Sequence, residues 1–327
     1  MVLDYKNRFH ECDNIASNLI IGDTTLSDPL VSVIMPIYNH PDFFEKSLMS
    51  VINQKCDFYY EIVIIDNNHP ILSKRNREIV ERCKSDNLRY YLNEENIGSA
   101  NNVNRGIQLA RGKFISFCHD DDMLFEDSLQ VLVNYSKLAE DERMAILGRI
   151  ESIDKDDKII TKFTEWDSIF LKRKNKYKIQ LYDFLFRNYT NGGGALYYRE
   201  SLIELGGYCK DYLPVTDYAL NVNYVSTIGA YAISDKTLKY RVSSQSDTGK
   251  VYGQMADIII GIRKNVSEQC KFPWYLPKSY LNINLKMFKL NLYSRWDKNK
   301  PSLVISYFYK LINRLFINFI FIDRSLR

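Results

Sequence analysis

The chain has 327 residues, of which 46% are hydrophobic and 26% charged, and its net charge at pH 7 is +4. This length allows one large or two modest cores, and the composition excludes a mostly disordered or collagen-like protein. The six cysteines contain no C-x-x-C pair and the four histidines no H-x-x-x-H pair. Zinc chemistry and a disulfide framework are therefore not indicated, a reducing compartment is favoured, and any chemistry is expected to rest on carboxylates.

Apolar runs alternate with helical patterns over the first part of the chain. Strands are predicted over residues 30–37, 61–65, 88–92 and 113–118. Helices are predicted over residues 44–52, 73–85 and 100–110. This alternation predicts an α/β fold with a mostly parallel sheet flanked by helices. Ligands of such sheets bind at the carboxyl ends of the strands, where Asn39, Asp66 and residues 120–122 lie.

Three consecutive acids, Asp120, Asp121 and Asp122, directly follow the fourth predicted strand. Such carboxylates repel one another without a cation, and strand-end oxygen ligands suit Mn²⁺ or Mg²⁺ bridging to substrate phosphates. The alternative is a solvated acidic turn or a helix N-terminus, because Glu126 and Asp127 follow. No G-x-G-x-x-G or P-loop motif occurs, which argues against a dehydrogenase or a P-loop NTPase.

Several short motifs between residues 30 and 135 resemble, in order and spacing, family 2 glycosyltransferases of the GT-A fold. They are VSVIMPIYN (31–39), SVINQ (50–54), EIVIID (61–66), NIG (96–98), NRG (104–106), ARG (110–112) and FISFCHDDD (114–122). The resemblance implies a GT-A (Rossmann-like) domain. It also implies an inverting transferase that uses a nucleotide-sugar donor, for which a UDP-sugar is our expectation.

Carried over motif by motif, the resemblance implies a donor site in which Pro36 and Tyr38 border the base and Asp66 hydrogen-bonds base or ribose. The residues expected to contact the donor are Pro36, Tyr38, Asn39, Asp66, Asn96, Asn104, Asp120 and Arg241.

The resemblance also implies a site for Mn²⁺ or Mg²⁺. Asp121 is the expected direct ligand, and Asp122 matches a frequent further acid. Two departures from the family pattern leave donor contact and metal affinity open. His119 stands where the family usually has an Asp, and Ser243 stands where it often has a His.

The expected general base lies in the second half of the chain. Asp217, in the sequence Thr-Asp-Tyr, matches the position of the family's catalytic acidic pair, although an N-cap role is the alternative. A base is needed because an acceptor hydroxyl is a poor nucleophile until its proton is removed. The glycines of residues 191–194 are either a loop against donor or acceptor or an ordinary turn into a strand.

The charge divides the chain into an acidic body and a basic tail. Residues 263–327 contain thirteen basic and three acidic side chains, a net charge of +10, which leaves −6 for the first 262 residues. Residues 303–322 read as an apolar helix with one polar stripe, interrupted by Lys310 and Arg314. Two charges near the middle disfavour a span, so we expect either peripheral contact with an anionic membrane or a helix packed on protein.

We therefore divide the chain into an N-terminal extension (1–27), a GT-A domain (28–262) and a basic aromatic tail (263–327). Within the domain, residues 28–140 are the expected nucleotide-sugar half and 141–262 the acceptor half. The expected function is sugar transfer to a glycan or lipid-linked glycan in surface polysaccharide synthesis. We expect a cytoplasmic protein, peripheral at the inner membrane face, that does not bind nucleic acid. A nucleotidyltransferase and a non-catalytic nucleotide-sugar-binding or membrane-tethering module are the rivals.

Overall fold

The computed structural model describes residues 2–23, 28–83, 85–160, 175–185, 192–242 and 252–270. Ser243, the predicted helix over 303–322 and the basic tail beyond residue 270 lie outside the described residues. Among the helices that are described, none is long and apolar enough to cross a bilayer.

Strands and helices alternate through the described residues. The strands are β1 (Ser17–Ile21), β2 (Val31–Ile37), β3 (Tyr60–Asp66), β4 (Leu88–Asn93), β5 (Phe114–Phe117), β6 (Met123–Leu124), β7 (Ala145–Ile153), β8 (Lys176–Lys178), β9 (Ala195–Tyr198) and β10 (Ala230–Arg241). The helices are α1 (Pro41–Ile52), α2 (Ser73–Cys83), α3 (Ser99–Leu109), α4 (Ser128–Ser136), α5 (Arg199–Glu204), α6 (Thr216–Thr227) and α7 (Tyr252–Gln269). The four predicted strands are β2 to β5, and the three predicted helices are α1 to α3.

One mixed sheet organises the chain, in the order β1-β4-β3-β2-β5-β9-β7-β10-β6, with β8 paired to β10. The strands β4, β3, β2 and β5 run parallel, which confirms the predicted parallel sheet. The antiparallel strand β9 joins this half to β7, and β7 and β10 are again parallel. Two apolar layers cover the sheet, with α1, α2 and α4 on one face and α3, α5, α6 and α7 on the other.

The local sequence explains why these elements form. Strand β2 is buried on both faces: Val33 packs into one apolar layer and Ile34 into the other. Helix α1 begins at Pro41, whose fixed φ angle suits a first helical position, and it buries Phe44 and Leu48 against the sheet.

The N-terminal segment is part of the domain rather than an extension. Strand β1 pairs with β4 at the edge of the sheet. Upstream of it, Leu3 and Phe9 are buried in the same apolar layer as α7, and the Tyr5 hydroxyl donates to the Gly207 carbonyl at 2.6 Å. The predicted boundary after residue 262 falls inside α7, where Val266 is fully buried. The described part of the chain therefore forms its core from residues on both sides of the predicted boundaries.

Candidate active site

The candidate site lies where the strand order reverses. From β2 the chain adds β3 and β4 on one side, and it then returns to place β5 on the other side of β2. The carboxyl ends of the parallel strands β2 and β5 therefore lie side by side, which is the usual position of the ligand crevice in such sheets. The loop after β2 carries Tyr38 to His40, and the loop after β5 carries His119 to Asp122.

A histidine and two aspartates meet in this crevice. One ligand atom from each of His40, Asp120 and Asp121 lies within 4.8 Å of the others. His40 Nδ1 is 3.0 Å from Asp120 Oδ1, while Asp120 Oδ2 accepts a hydrogen bond from the Tyr38 backbone N–H at 3.1 Å. One imidazole and two carboxylates are a donor set suited to a divalent cation. Sequence reasoning missed His40, since its proximity to Asp120 depends on the parallel pairing of β2 with β5.

The aspartates are not equivalent. Burial, followed by the charge of Asp120, raises the pKa of Asp121, whereas His40 and His119 lower it. Asp122, predicted as a metal residue, lies outside the cluster: its Oδ1 accepts a hydrogen bond from the Arg241 backbone N–H at 2.9 Å. Burial, followed by the charge of Asp121, raises the pKa of Asp122 well above its usual value. Of the two predicted metal residues, the structure places Asp121 beside Asp120 and His40, and Asp122 outside this group.

Arg241 was predicted to contact phosphate, and the structure gives it a structural role instead. Its side chain is fully buried, and Nε donates to the Asp121 carbonyl at 2.8 Å. Its Nη1 donates to the Asp154 carbonyl at 2.8 Å and lies 2.6 Å from Asp157 Oδ1. The guanidinium also lies over the ring of Phe43 at 4.4 Å. Arg241 therefore holds the aspartate loop in place.

Pro36, Tyr38 and Asn39 border the mouth of the crevice. Pro36 is the penultimate residue of β2 and is half-buried, and Asn39 is exposed. The Tyr38 ring lies 4.9 Å from the ring of His69, at 57°. These residues lie beside the cluster and are at least partly exposed. The contact of Pro36 and Tyr38 with the base stays a prediction.

Asp66 ends β3 and is completely buried, and its carboxylate is held within the protein. Oδ1 accepts from Ser73 Oγ at 2.8 Å and from the Asn68 N–H at 2.9 Å. Oδ2 accepts from the Tyr90 hydroxyl at 2.8 Å and from Asn76 Nδ2 at 3.2 Å. Burial nevertheless raises the pKa of Asp66. Contact with a base or ribose would have to replace one of these four hydrogen bonds.

A network of asparagine amides connects the ends of β3 and β4. Asn67 Nδ2 donates to Asn96 Oδ1 at 2.8 Å, and Asn93 Nδ2 donates to Asn67 Oδ1 at 3.2 Å and to Asn102 Oδ1 at 2.9 Å. Asn96 itself is exposed, and its Oδ1 also accepts from the Gly98 N–H at 2.9 Å. The network holds the exposed Asn96 beside the ends of β3 and β4. Its contact with the donor stays a prediction.

Asn104 was also predicted to contact the donor, but both polar atoms of its amide bond to one backbone unit. Nδ2 donates to the Tyr208 carbonyl at 2.9 Å, and Oδ1 accepts from the Tyr208 N–H at 2.7 Å. Asn104 is 2% exposed. Asn104 therefore holds the loop that carries Tyr208 in place through these two hydrogen bonds.

Asp217 lies in the first turn of α6, enclosed by a glycine and a tyrosine. Burial raises the pKa of Asp217, while His119 and the Tyr208 hydroxyl lower it. Asp217 Oδ1 and the Tyr208 hydroxyl are both buried and face each other without forming a full hydrogen bond. Gly192 packs on the same carboxylate, and Gly193 and Gly194 pack on Leu238, so the described glycines of this run make close backbone approaches to side chains. No side-chain cap bond is made at the N-terminus of α6, so an N-cap role does not account for Asp217.

His119 lies close enough to both Asp121 and Asp217, in α6, to lower the pKa of each.

A mostly parallel, Rossmann-like sheet flanked by helices, with aspartates directly after its fourth parallel strand, is the arrangement of the GT-A fold. The family model described as "Glycosyl transferase family 2" matches residues 32–206, more than half of the chain. The chain therefore belongs to glycosyltransferase family 2, and it is a glycosyltransferase.

Curated relatives agree with this assignment. An uncharacterised glycosyltransferase of Methanocaldococcus jannaschii is 23% identical over 91% of this chain and 94% of its own length. The Campylobacter jejuni GalNAc(5)-diNAcBac-PP-undecaprenol beta-1,3-glucosyltransferase is 34% identical over 32% of this chain and 34% of its length. An uncharacterised glycosyltransferase of Rickettsia bellii is 32% identical over 39% of this chain and only 18% of its own length. Some relatives thus extend well beyond the matched part.

Solved structures show the same fold. S. aureus TarS (residues 1–349) in complex with UDP-GlcNAc superposes with a TM-score of 0.58 at 15% identity, covering 82% of this chain and 74% of that one. The mannosyltransferase PcManGT of Pyrobaculum calidifontis, in complex with GDP-Man and Mn²⁺, gives a TM-score of 0.52 at 17% identity. That match covers 90% of this chain and 82% of PcManGT.

Proposed function

We propose that this protein is an inverting glycosyltransferase that moves a sugar from a nucleoside-diphosphate donor, with a UDP-sugar expected, to a hydroxyl of a glycan or lipid-linked glycan. One observation carries the proposal: in a chain whose residues 32–206 match the family 2 model, one ligand atom each of His40, Asp120 and Asp121 lies within 4.8 Å of the others at the carboxyl ends of β2 and β5.

The cluster accounts for donor binding. Asp120 and Asp121, with His40, would hold Mn²⁺ or Mg²⁺, and a bound cation would neutralise charge appearing on the nucleoside diphosphate as it leaves. Asp121 is half-buried and its pKa is raised by burial and by Asp120, so its ionised form is costly without a counter-charge. Tyr38, Asn39 and Asn96 at the rim would border the nucleoside.

Asp217 accounts for acceptor activation. Its carboxylate would accept the proton of the acceptor hydroxyl as the new glycosidic bond forms, with attack on the face opposite the leaving diphosphate. Burial raises the pKa of Asp217 and so makes it a stronger base than an exposed aspartate. Gly192 and Tyr208 fix this carboxylate from two sides.

The acceptor class is supported by the names of two relatives. One acts on an undecaprenol-linked oligosaccharide, and another is the S. aureus poly(ribitol-phosphate) beta-N-acetylglucosaminyltransferase TarP, 32% identical over 36% of this chain. We therefore place the acceptor among glycans and lipid-linked glycans of surface polysaccharide synthesis.

We further propose peripheral contact of residues 263–327 with an anionic membrane surface at its cytoplasmic face, on the basis of their net charge of +10 and their aromatic content. Flotation of the full chain and of a variant truncated after residue 302 with vesicles containing phosphatidylglycerol tests this. Loss of flotation on truncation is expected, and equal flotation of both would contradict it.

The transferase proposal is tested by incubating the full chain with UDP-glucose, UDP-GlcNAc, UDP-galactose and GDP-mannose in the presence of Mn²⁺ and measuring nucleoside diphosphate release. Release from at least one donor, lost in Asp121→Asn and Asp217→Asn, is expected. Donor binding without release under any condition would instead identify a non-catalytic binding module.

A further inference from the structure

His40 occupies an unusual position for a residue that precedes a helix. It is the N-cap residue of α1, and its backbone carbonyl accepts from the N–H groups of Phe43 and Phe44 at 3.0 and 3.1 Å. Its side chain makes no cap hydrogen bond. The imidazole is directed instead at Asp120, with Nδ1 3.0 Å from Oδ1, and it retains 18% exposure. The side chain of His40 therefore contacts the aspartate loop, while only its backbone takes part in the N-terminus of α1.

The spacing of the three side chains fits one cation. Neighbouring ligands around an octahedral ion, each about 2.1 Å from the metal, lie about 3 Å apart. The 3.0 Å between His40 Nδ1 and Asp120 Oδ1 is a hydrogen-bond distance and also equals this separation, and the Asp121 ligand atom completes a set that spans no more than 4.8 Å. The Tyr38 N–H holds Asp120 Oδ2, which leaves Oδ1 directed at His40.

Charge also favours an imidazole at this place. Asp120 and Asp121 already place two carboxylate oxygens within 4.8 Å of each other. A neutral imidazole supplies a ligand atom without adding another negative charge. His119, although close enough to influence Asp121, does not belong to the group of ligand atoms.

We propose that His40 is a direct nitrogen ligand of the divalent cation held by Asp120 and Asp121, and that it makes the site select Mn²⁺ over Mg²⁺. The inference rests on the proposed function, which places a cation there. Its chemical basis is that Mg²⁺ is bound almost entirely by oxygen and keeps its waters, whereas Mn²⁺, which also favours oxygen ligands, accepts an imidazole nitrogen more readily. Replacing His40 should therefore weaken Mn²⁺ binding much more than Mg²⁺ binding.

Pulsed electron paramagnetic resonance of Mn²⁺ bound to the full chain, with UDP and separately with GDP, tests the ligand directly. We expect nitrogen coupling in the wild-type protein that persists in His119→Asn and disappears in His40→Asn. His10→Asn is the matched control, because His10 is an exposed histidine outside the cluster. Bound Mn²⁺ without nitrogen coupling, or coupling that disappears in His119→Asn instead, would overturn the proposal.

Calorimetric titration of the same proteins with MnCl₂ and MgCl₂ in the presence of UDP or GDP tests the selectivity. In His40→Asn, Mn²⁺ affinity should fall by at least about tenfold and Mg²⁺ affinity by less than about threefold. Equal loss for both ions, or no loss, would contradict the inference. Thermal unfolding in EDTA checks that His40→Asn is folded, and His40→Gln replaces it if it is not.

The two proposals fail in different ways. If wild-type protein binds no Mn²⁺ with either nucleotide, the cation site of the proposed function fails, and this inference fails with it. If Mn²⁺ binds and the nucleoside diphosphate is released from a donor, but nitrogen coupling is absent, only the role of His40 is wrong.

Discussion

The backbone of Gly192 lies directly against the carboxylate of Asp217: a Cβ atom built on the glycine would lie 2.6 Å from Oδ1 and 3.1 Å from Oδ2. Any side chain at residue 192 must therefore displace the proposed base. We expect Gly192→Ala to lower turnover by about 10²-fold while donor binding persists, since small misplacements of catalytic groups have effects of this size. Steady-state kinetics and donor titration measure the two quantities.

The control for this substitution is Gly261→Ala on α7, where a built Cβ meets nothing within 4 Å. It should keep the wild-type rate and stabilise the helix slightly. Wild-type turnover in Gly192→Ala would show that the position of Asp217 does not matter for the reaction.

Replacing the base itself should act on turnover rather than on donor affinity. Asp217→Asn keeps the shape of the side chain but cannot accept the acceptor proton, so turnover should fall roughly 10²–10⁴-fold. The wild-type rate should fall with decreasing pH through a pKa above the ordinary value for aspartate, because burial raises the pKa of Asp217. A pH–rate profile with no acid limb above about pH 4 would contradict this role.

The same substitution should stabilise the fold at neutral pH. A carboxyl whose pKa is higher in the folded than in the unfolded state binds protons more tightly when folded, so stability falls as pH rises through that interval. Asp217 therefore costs stability at pH 7, and Asp217→Asn removes the cost. Thermal unfolding should show a higher Tm for the variant at pH 7 and a smaller difference towards pH 4. An unchanged or lower Tm at pH 7 would argue against a buried, ionised Asp217.

Tyr208 is expected to change the pKa of Asp217 without taking part in the chemical step itself. Its hydroxyl lowers the pKa of Asp217, so Tyr208→Phe should raise that pKa and move the acid limb of the rate profile to higher pH. Tyr197→Phe is the matched control, because the Tyr197 hydroxyl donates to Asn221 at 2.8 Å instead. A shift of equal size in both variants would mean that the effect is a general loosening of the core.

Arg241 is expected to stabilise the loop that carries Asp120 to Asp122, and with it the folded protein. It is fully buried, while its partner Asp157 keeps 33% exposure, so Arg241→Ala should destabilise by about 2–4 kcal/mol, below the upper range for fully buried pairs. Denaturant unfolding measures this. If the variant were as stable as wild type and only bound donor more weakly, Arg241 would be a phosphate ligand after all.

Much of the nucleotide half could be predicted from the sequence because its signals are local. Strands β2, β3 and β5 are mostly apolar runs, α1 carries its apolar residues at helical spacing, and the aspartates follow a strand directly. The parallel arrangement then follows from the alternation of strands and helices.

What could not be predicted depends on contacts between residues far apart in the chain. His40 joins the cluster across 80 residues, and Arg241 reaches Asp122 across 119. Tyr5, near the start of the chain, donates a hydrogen bond to the carbonyl of Gly207 across 202 residues. Arg241 and Asn104, which were predicted to contact the donor, are buried and make their hydrogen bonds inside the protein, and no local sequence pattern indicates that.

The most direct test of the central claim is calorimetric titration of the full chain with UDP- and GDP-sugars, with Mn²⁺ and with EDTA. We predict that at least one donor binds only when the cation is present and that Asp121→Asn abolishes this binding. Donor binding that is as tight in EDTA as in Mn²⁺, or that survives in Asp121→Asn, would contradict a diphosphate held through a cation on these aspartates.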